Sequence, residues 1–289
     1  MIPSAFQTRG LLRNLNVLAV GAGLASVTGA IFSLMFSSGS DAVRLGISTT
    51  LPTLVLGMVW AMLLRWRKTV GASALRWGWL ASIPLAALNG GLATVGLFWN
   101  GNNNVLEAVG MGVLFGSTIG ASFWVPGLIA TLVCFGIPLA WGQRLAAKGL
   151  AGEERGELLV GAVSALVGIF GVLIAAVAPP PHFFDPSQAW GLSAVRGLIE
   201  AVGVVAALAG GAAALVSQLR AERRRAFVRN VEAGTVPGYR VEQSHEGKVL
   251  IRVNAQMPGY RVADFHEEVY ALDEAGEAKR ALQIPPPGS

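Results

Sequence analysis

This chain is poor in the groups that most enzyme chemistry requires. Its 289 residues include one cysteine and three histidines. Cys134 stands alone in an apolar run, which excludes a disulfide or a cysteine metal cluster within one chain. His182 falls in a Pro-rich connection, and His245 and His266 fall in the polar C-terminal part. No His is therefore placed to activate a serine inside a membrane, and no long apolar run contains the Asp that a paired-aspartate protease needs. A Walker A lysine motif, GxGxxG and HExxH are all missing. GSTIG at Gly116 to Gly120 has the outline of a nucleophile turn but lacks a partner base. These gaps lead us to expect no catalytic residue and no cofactor.

Charge is scarce too. Charged residues make up 13% of the chain and hydrophobic residues 53%, too apolar a balance for a soluble surface. The formal net charge is +5, but the arginines flank apolar runs, where they fix orientation, and do not form a nucleic-acid face.

A membrane-spanning helix needs about 20 apolar residues. Candidate spans run over 15–38, 45–66, 75–99, 123–142, 158–178 and 193–219. The first follows Arg9 and Arg13 and continues past the small residues near Ala30 to Phe36, too long for the apolar core of a signal peptide, so it reads as an uncleaved span. Arginines and lysines alternate between the connections. Arg65, Arg67, Lys68, Arg76, Arg144, Lys148 and Arg155 share a side with both termini, while the NGNNN loop at Asn100 to Asn104 falls opposite. The segment Val105 to Ser122 is apolar, but a crossing there would invert the final basic run, so it reads as a re-entrant or half-helix segment.

The expected fold is thus an all-α polytopic membrane bundle of six transmembrane helices plus that segment, with a small C-terminal cytoplasmic β-meander. The division is a cytoplasmic N-terminus at 1–14, the bundle at 15–219, a basic juxtamembrane helix at 220–230, a β module at 231–283 and a loose tail at 284–289. The pattern fits a bacterial-type inner or plasma membrane with both ends cytoplasmic.

Small residues recur every fourth position in several runs: Gly21-Ala25-Gly29, Gly112-Gly116-Gly120 and Gly203-Ala207-Gly211. Such stripes let helices approach closely, either within one bundle, the simpler reading, or between chains of an oligomer. Polar groups inside apolar runs are costly and mark candidate sites. Asn89 sits beside Gly90 and Gly91, where a helix can unwind to line a solute site or form one interhelical hydrogen bond. Arg196 and Glu200 are spaced to neutralise each other along a helix. With Glu107 they form a candidate outward-facing polar pocket floored by Asn89. Arg220, Arg223, Arg224 and Arg225 follow the last run and suit lipid headgroups or a stop-transfer role.

PGYRV occurs at Pro237 to Val241 and again at Pro258 to Val262, each followed by His-Glu at the same offset. Pro-Gly turns and alternating apolar residues predict two similar hairpins. His245 and His266 alone are too few for a metal site. Two functional classes follow. One is a non-catalytic anchor, scaffold or regulatory subunit in the lipid bilayer, whose β module docks other membrane or cytoplasmic subunits. The other is a small-solute or ion carrier with a polar site near Asn89 and Glu200.

Overall fold

A computed structural model describes residues 5–31, 41–66, 87–89, 91–92, 95, 105–111, 114, 137–147, 150–178, 189–235, 239–244, 247–252, 269–272 and 278–280. The described helices are α1 (Ala5–Ala30), α2 (Asp41–Trp66), α3 (Val105–Met111), α4 (Ile137–Ala147), α5 (Leu150–Val177) and α6 (Ala189–Glu232). Four helices, α1, α2, α5 and α6, are long and apolar enough to cross a membrane, which marks a membrane protein by length and composition. Of the candidate spans 75–99 and 123–142 and the segment 105–122, the greater part lies outside the described residues.

Helix directions follow from which residues meet. Going up α1, Gly21 faces Leu54 and Met58 of α2 and Gly29 faces Thr50, so α1 and α2 are antiparallel. Asn16 meets Glu157 and Ser26 meets Gly171, so α1 and α5 are parallel. Gly161 faces Gly210 and Gly168 faces Gly203, so α6 runs against α5. We call the end where α1 and α5 begin basal and the opposite end distal. The short link from α4 to α5 and the meeting of Gly142 with Gly156 bring α4 down beside the base of α5.

The α5–α6 interface is built on glycine. A methyl group at Gly168 would lie 2.6 Å from the Gly203 carbonyl oxygen, and one at Gly161 would lie 2.7 Å from that of Gly210. Buried positions on α6 step by three and four: Ile199, Gly203, Ala206, Gly210, Ala213, Ser217 and Arg220. That spacing averages 3.5 residues, the period at which a stripe stays in register with a partner helix. The four-residue stripe read from the sequence drifts off this line. Gly203 belongs to both patterns, Ala207 is only half-buried, and Gly211 is exposed with nothing within 4 Å of an added methyl. Gly21, Ala25 and Gly29 face inward on α1, whereas Gly112, Gly116 and Gly120 lie outside the described residues.

Among the described residues, two apolar clusters fill the bundle. Val17, Val20, Trp60, Ala61 and Val160 join α1, α2 and α5, while Ala30, Ala175, Leu192, Val195 and Ile199 close the distal end. The outer faces of α5 and α6 remain apolar and exposed, with Leu166, Phe170, Leu173, Leu208 and Leu215 among them. An apolar face of this length is what hydrocarbon solvates, since lipid tails are as apolar as leucine. Trp190 is 84% exposed at the distal start of α6, a position suited to the membrane interface.

α6 is a single helix of 44 residues, about 66 Å long at 1.5 Å per residue. Its basic extension is continuous with the membrane part and not a separate element. Gly234 ends it at φ +71°, with Gly234 N donating to Val231 O and Thr235 N to Asn230 O. This is a Schellman cap, which needs a residue that tolerates the left-handed region.

Beyond the cap lie β1 (Tyr239–Ser244), β2 (Gly247–Arg252), β3 (Val269–Leu272) and β4 (Ala278–Arg280), paired antiparallel in that order. β3 occupies the place in the second repeat that β2 holds in the first, and it pairs with β2 on one edge and β4 on the other. The second PGYRV lies outside the described residues. β1 borders α6 and β4 borders α5, which puts the sheet at the basal end.

Candidate functional site

Two of the four residues of the proposed outer pocket, Asn89 and Arg196, have separate partners. Asn89 Nδ2 donates to Thr53 Oγ1 at 2.8 Å, a single bond to α2. Thr53 lies one residue past Pro52, which has no N–H and leaves α2 without one rung of its ladder. Thr49 returns a hydroxyl to the Leu45 carbonyl at 2.6 Å in the same stretch. Arg196 Nη2 donates to the Ala178 carbonyl at 2.6 Å, just past the distal end of α5. The last carbonyls of a helix lack intrahelical donors and attract cations, so this bond takes the guanidinium that the sequence spacing assigned to Glu200. Glu200 is half-buried and forms no ion pair with Arg196. Glu107 is exposed on α3. Among the described residues no hydrogen bond or ion pair joins these four groups to one another.

Among the described residues a polar constellation lies at the opposite, basal end, where three helices meet. Arg220 of α6 approaches Glu154 of α5, with Nε 3.5 Å from Oε1, and both side chains are buried. Asn16 of α1 is fully buried, at 0% exposure. Its Nδ2 donates to Glu157 Oε2 in a short contact and lies 3.4 Å from the Glu157 carbonyl oxygen. Ser217, one turn before Arg220, is buried as well. Extending the Gly168·Gly203 and Gly161·Gly210 register by one more heptad places Ser217 opposite Glu154.

This cluster changes the reading of Arg220. It is not a headgroup contact but half of a buried pair, whereas Arg225 and Arg229 on the same extension are exposed. The side chains of Arg223 and Arg224, together with His245 and His266, lie outside the described residues.

Sequence reasoning missed Glu154 and Glu157 because it began the fifth apolar run at residue 158, and it passed over Asn16 at the start of the first run, 15–38. The helix begins at Leu150, which turns a presumed loop into its first two turns. The signal was present. Glu154, Glu157, Gly161, Ser164, Gly168, Gly171 and Ala175 step by three and four along α5 without a break.

Chemically the arrangement is a set of buried oxygens beside one guanidinium. Among the described residues no group of three or more His, Cys, Asp or Glu side chains gathers to hold a metal. No protein-family model, curated protein or solved structure matches the chain.

Proposed function

We propose that this protein is a multi-pass membrane anchor or scaffold subunit whose C-terminal β module docks a cytoplasmic partner. The observation that carries this reading is α6. A hydrocarbon core is about 30 Å thick, so a helix of about 66 Å extends well beyond it. Its buried stripe continues into the extension, where Val228 and Val231 are almost fully buried, and β1 borders it. A bundle packed on glycine and joined to a sheet through one unbroken helix is suited to holding that sheet in a fixed position at the membrane surface.

The reading includes six crossings with both termini on the cytoplasmic side. In support, α2 ends and α5 begins at the basal end, so the chain between them crosses an even number of times. Two crossings fit the apolar runs at 75–99 and 123–142. The basal end also gathers Arg13, Arg144, Arg155, Arg225 and Arg229, as the positive-inside rule requires of a cytoplasmic face. Scaffold subunits of this kind also assemble with further membrane subunits or a second copy of the chain.

The carrier alternative draws less support, because Asn89 bonds to Thr53 and Arg196 bonds to a helix-end carbonyl instead of to Glu200. The test compares the full chain with a form truncated after Thr235, both reconstituted in the same lipid. The docking reading expects a partner that co-purifies with the full chain in fixed stoichiometry and is lost on truncation. It also expects solute flux at background level, unchanged by Asn89→Ala or Glu200→Gln. Flux that falls in those two variants, with the same co-purifying proteins before and after truncation, would overturn it.

A further inference from the structure

We propose that the seam between α4 and α5 at the basal end holds one anionic glycerophospholipid, with its headgroup phosphate at Arg144 and Arg155 and one acyl chain along the exposed face of α5. The seam is narrow because Gly142 and Gly156 bring the two helices together. A methyl group at Gly142 would lie 3.1 Å from the Gly156 carbonyl oxygen. α4 and α5 are antiparallel here, so the residue before the contact on each helix falls about 100° round to the same side of the seam. Those two residues are Trp141 and Arg155, and both are exposed. Arg144 follows Trp141 at the i, i+3 spacing and is exposed on the same face of α4. An indole and two guanidiniums from two helices thus border one side of one seam.

These groups follow the order of a lipid molecule. The apolar crossing stretch of α5 runs Glu154–Val177, so Arg155 stands where that stretch begins. Trp141, 54% exposed, lies at the same level, and indole favours the headgroup region. Above Arg155, Leu159, Ala162, Leu166, Phe170 and Leu173 step by three and four along one face, half-buried at first and then exposed. From Leu159 to Leu173 this track is about 21 Å long at 1.5 Å per residue, enough to follow one acyl chain through a leaflet of about 15 Å.

Charge selects an anionic headgroup. A guanidinium binds phosphate oxygens through paired N–H donors. Arg144 supplies a charge on a helix that carries no acidic residue. Arg155 also interacts within the protein, and with five N–H donors a guanidinium serves more than one acceptor. Glu154 and Glu157 face the other side of α5, toward Arg220 of α6 and Asn16 of α1. A zwitterionic headgroup would bring its own cation up to the arginines. The proposal requires the basal end to lie at a membrane surface, and it stands apart from the docking role of the β module.

The experiment is native mass spectrometry of the full-length protein in detergent, with dioleoyl phosphatidylglycerol or dioleoyl phosphatidylcholine added at equal concentration. One phosphatidylglycerol per chain should be retained, with a preference of about fivefold or more over phosphatidylcholine, the usual effect of an arginine near anionic lipid. Arg144→Gln should remove most of that preference, and Arg144→Gln combined with Arg155→Gln all of it. Arg13→Gln and Arg229→Gln, exposed on other helices, should keep it. Trp141→Ala should lower retention of both lipids. Inorganic phosphate and glycerol 3-phosphate should not displace the lipid. If the double variant does not fold, Arg144→Gln alone, an exposed substitution, decides the matter. The proposal fails if the wild-type protein retains the two lipids equally, if Arg144→Gln keeps the full preference, or if Arg13→Gln and Arg229→Gln reduce it as much as Arg144→Gln does. Displacement by either soluble phosphate would also overturn it.

Discussion

The distal and basal halves of the bundle use the same three helices, yet they hold them together by different means. Distally, Ala30, Ala175, Val195 and Ile199 form an apolar cluster, and the polar ties run from side chains to backbone carbonyls: Ser26 donates to Ile199 at 3.1 Å and Arg196 to Ala178 at 2.6 Å. Between the ends, glycines bring backbones nearly into contact. At the base the helices carry Asn16, Glu154, Glu157 and Arg220. Glycine contact is intolerant of added volume and indifferent to charge. Buried charge tolerates some change of shape but not the loss of a partner. The difference suits position along the bundle, because the base is the end that the sheet borders.

The largest effect expected from breaking this contrast is at the base. Glu154→Ala or Arg220→Ala strands a buried charge and should destabilise the protein by about 3–5 kcal/mol, measured by denaturant or thermal unfolding in detergent. The double substitution Glu154→Leu with Arg220→Met removes both charges and should recover most of that loss. If the double variant is as unstable as the sum of the singles, the pair is not the source of the cost.

At the end of α6, Gly234→Ala forces a Cβ into the left-handed region and should cost about 1–2 kcal/mol. Hydrogen exchange at Ala233, Gly234 and Thr235 should accelerate, while the membrane-embedded part of α6 should not change. Acceleration along the whole helix would mean that the cap and the bundle unfold as one unit.

The smallest effect is expected in α2. Asn89→Ala removes one hydrogen bond to Thr53 and should cost about 0.6 kcal/mol, the usual worth of a polar contact between membrane helices. A loss several times larger would show that Asn89 holds more than Thr53.

Much of this architecture was legible in the sequence as long apolar runs. The runs at 15–38, 45–66, 158–178 and 193–219 correspond to the four described helices of membrane-crossing length, although helix ends moved by several residues. The ends moved because helices continue through polar turns that hydropathy reads as loops. α5 starts at Leu150 and so carries Glu154 and Glu157 into the bundle. Neighbour choice was not legible. Arg196 could have bonded Glu200 on its own helix, but only a fold shows that the Ala178 carbonyl lies within reach. The choice between four-residue and 3.5-residue spacing on α6 also depended on the partner, because Gly203 fits both and only the α5 glycines select one.

α6 packs at a 3.5-residue period, and two adjacent glycines on it distinguish the buried stripe from the open face. Gly210 faces the α5 backbone, while Gly211 faces open space. Thermal unfolding of Gly210→Ile and Gly211→Ile, compared in the same detergent, should show Gly210→Ile destabilised by about 3 kcal/mol or more through overpacking. Gly211→Ile should stay within about 0.5 kcal/mol of the wild type, as an exposed substitution does. Equal losses at the two positions, or a larger loss at Gly211, would contradict this packing of α6.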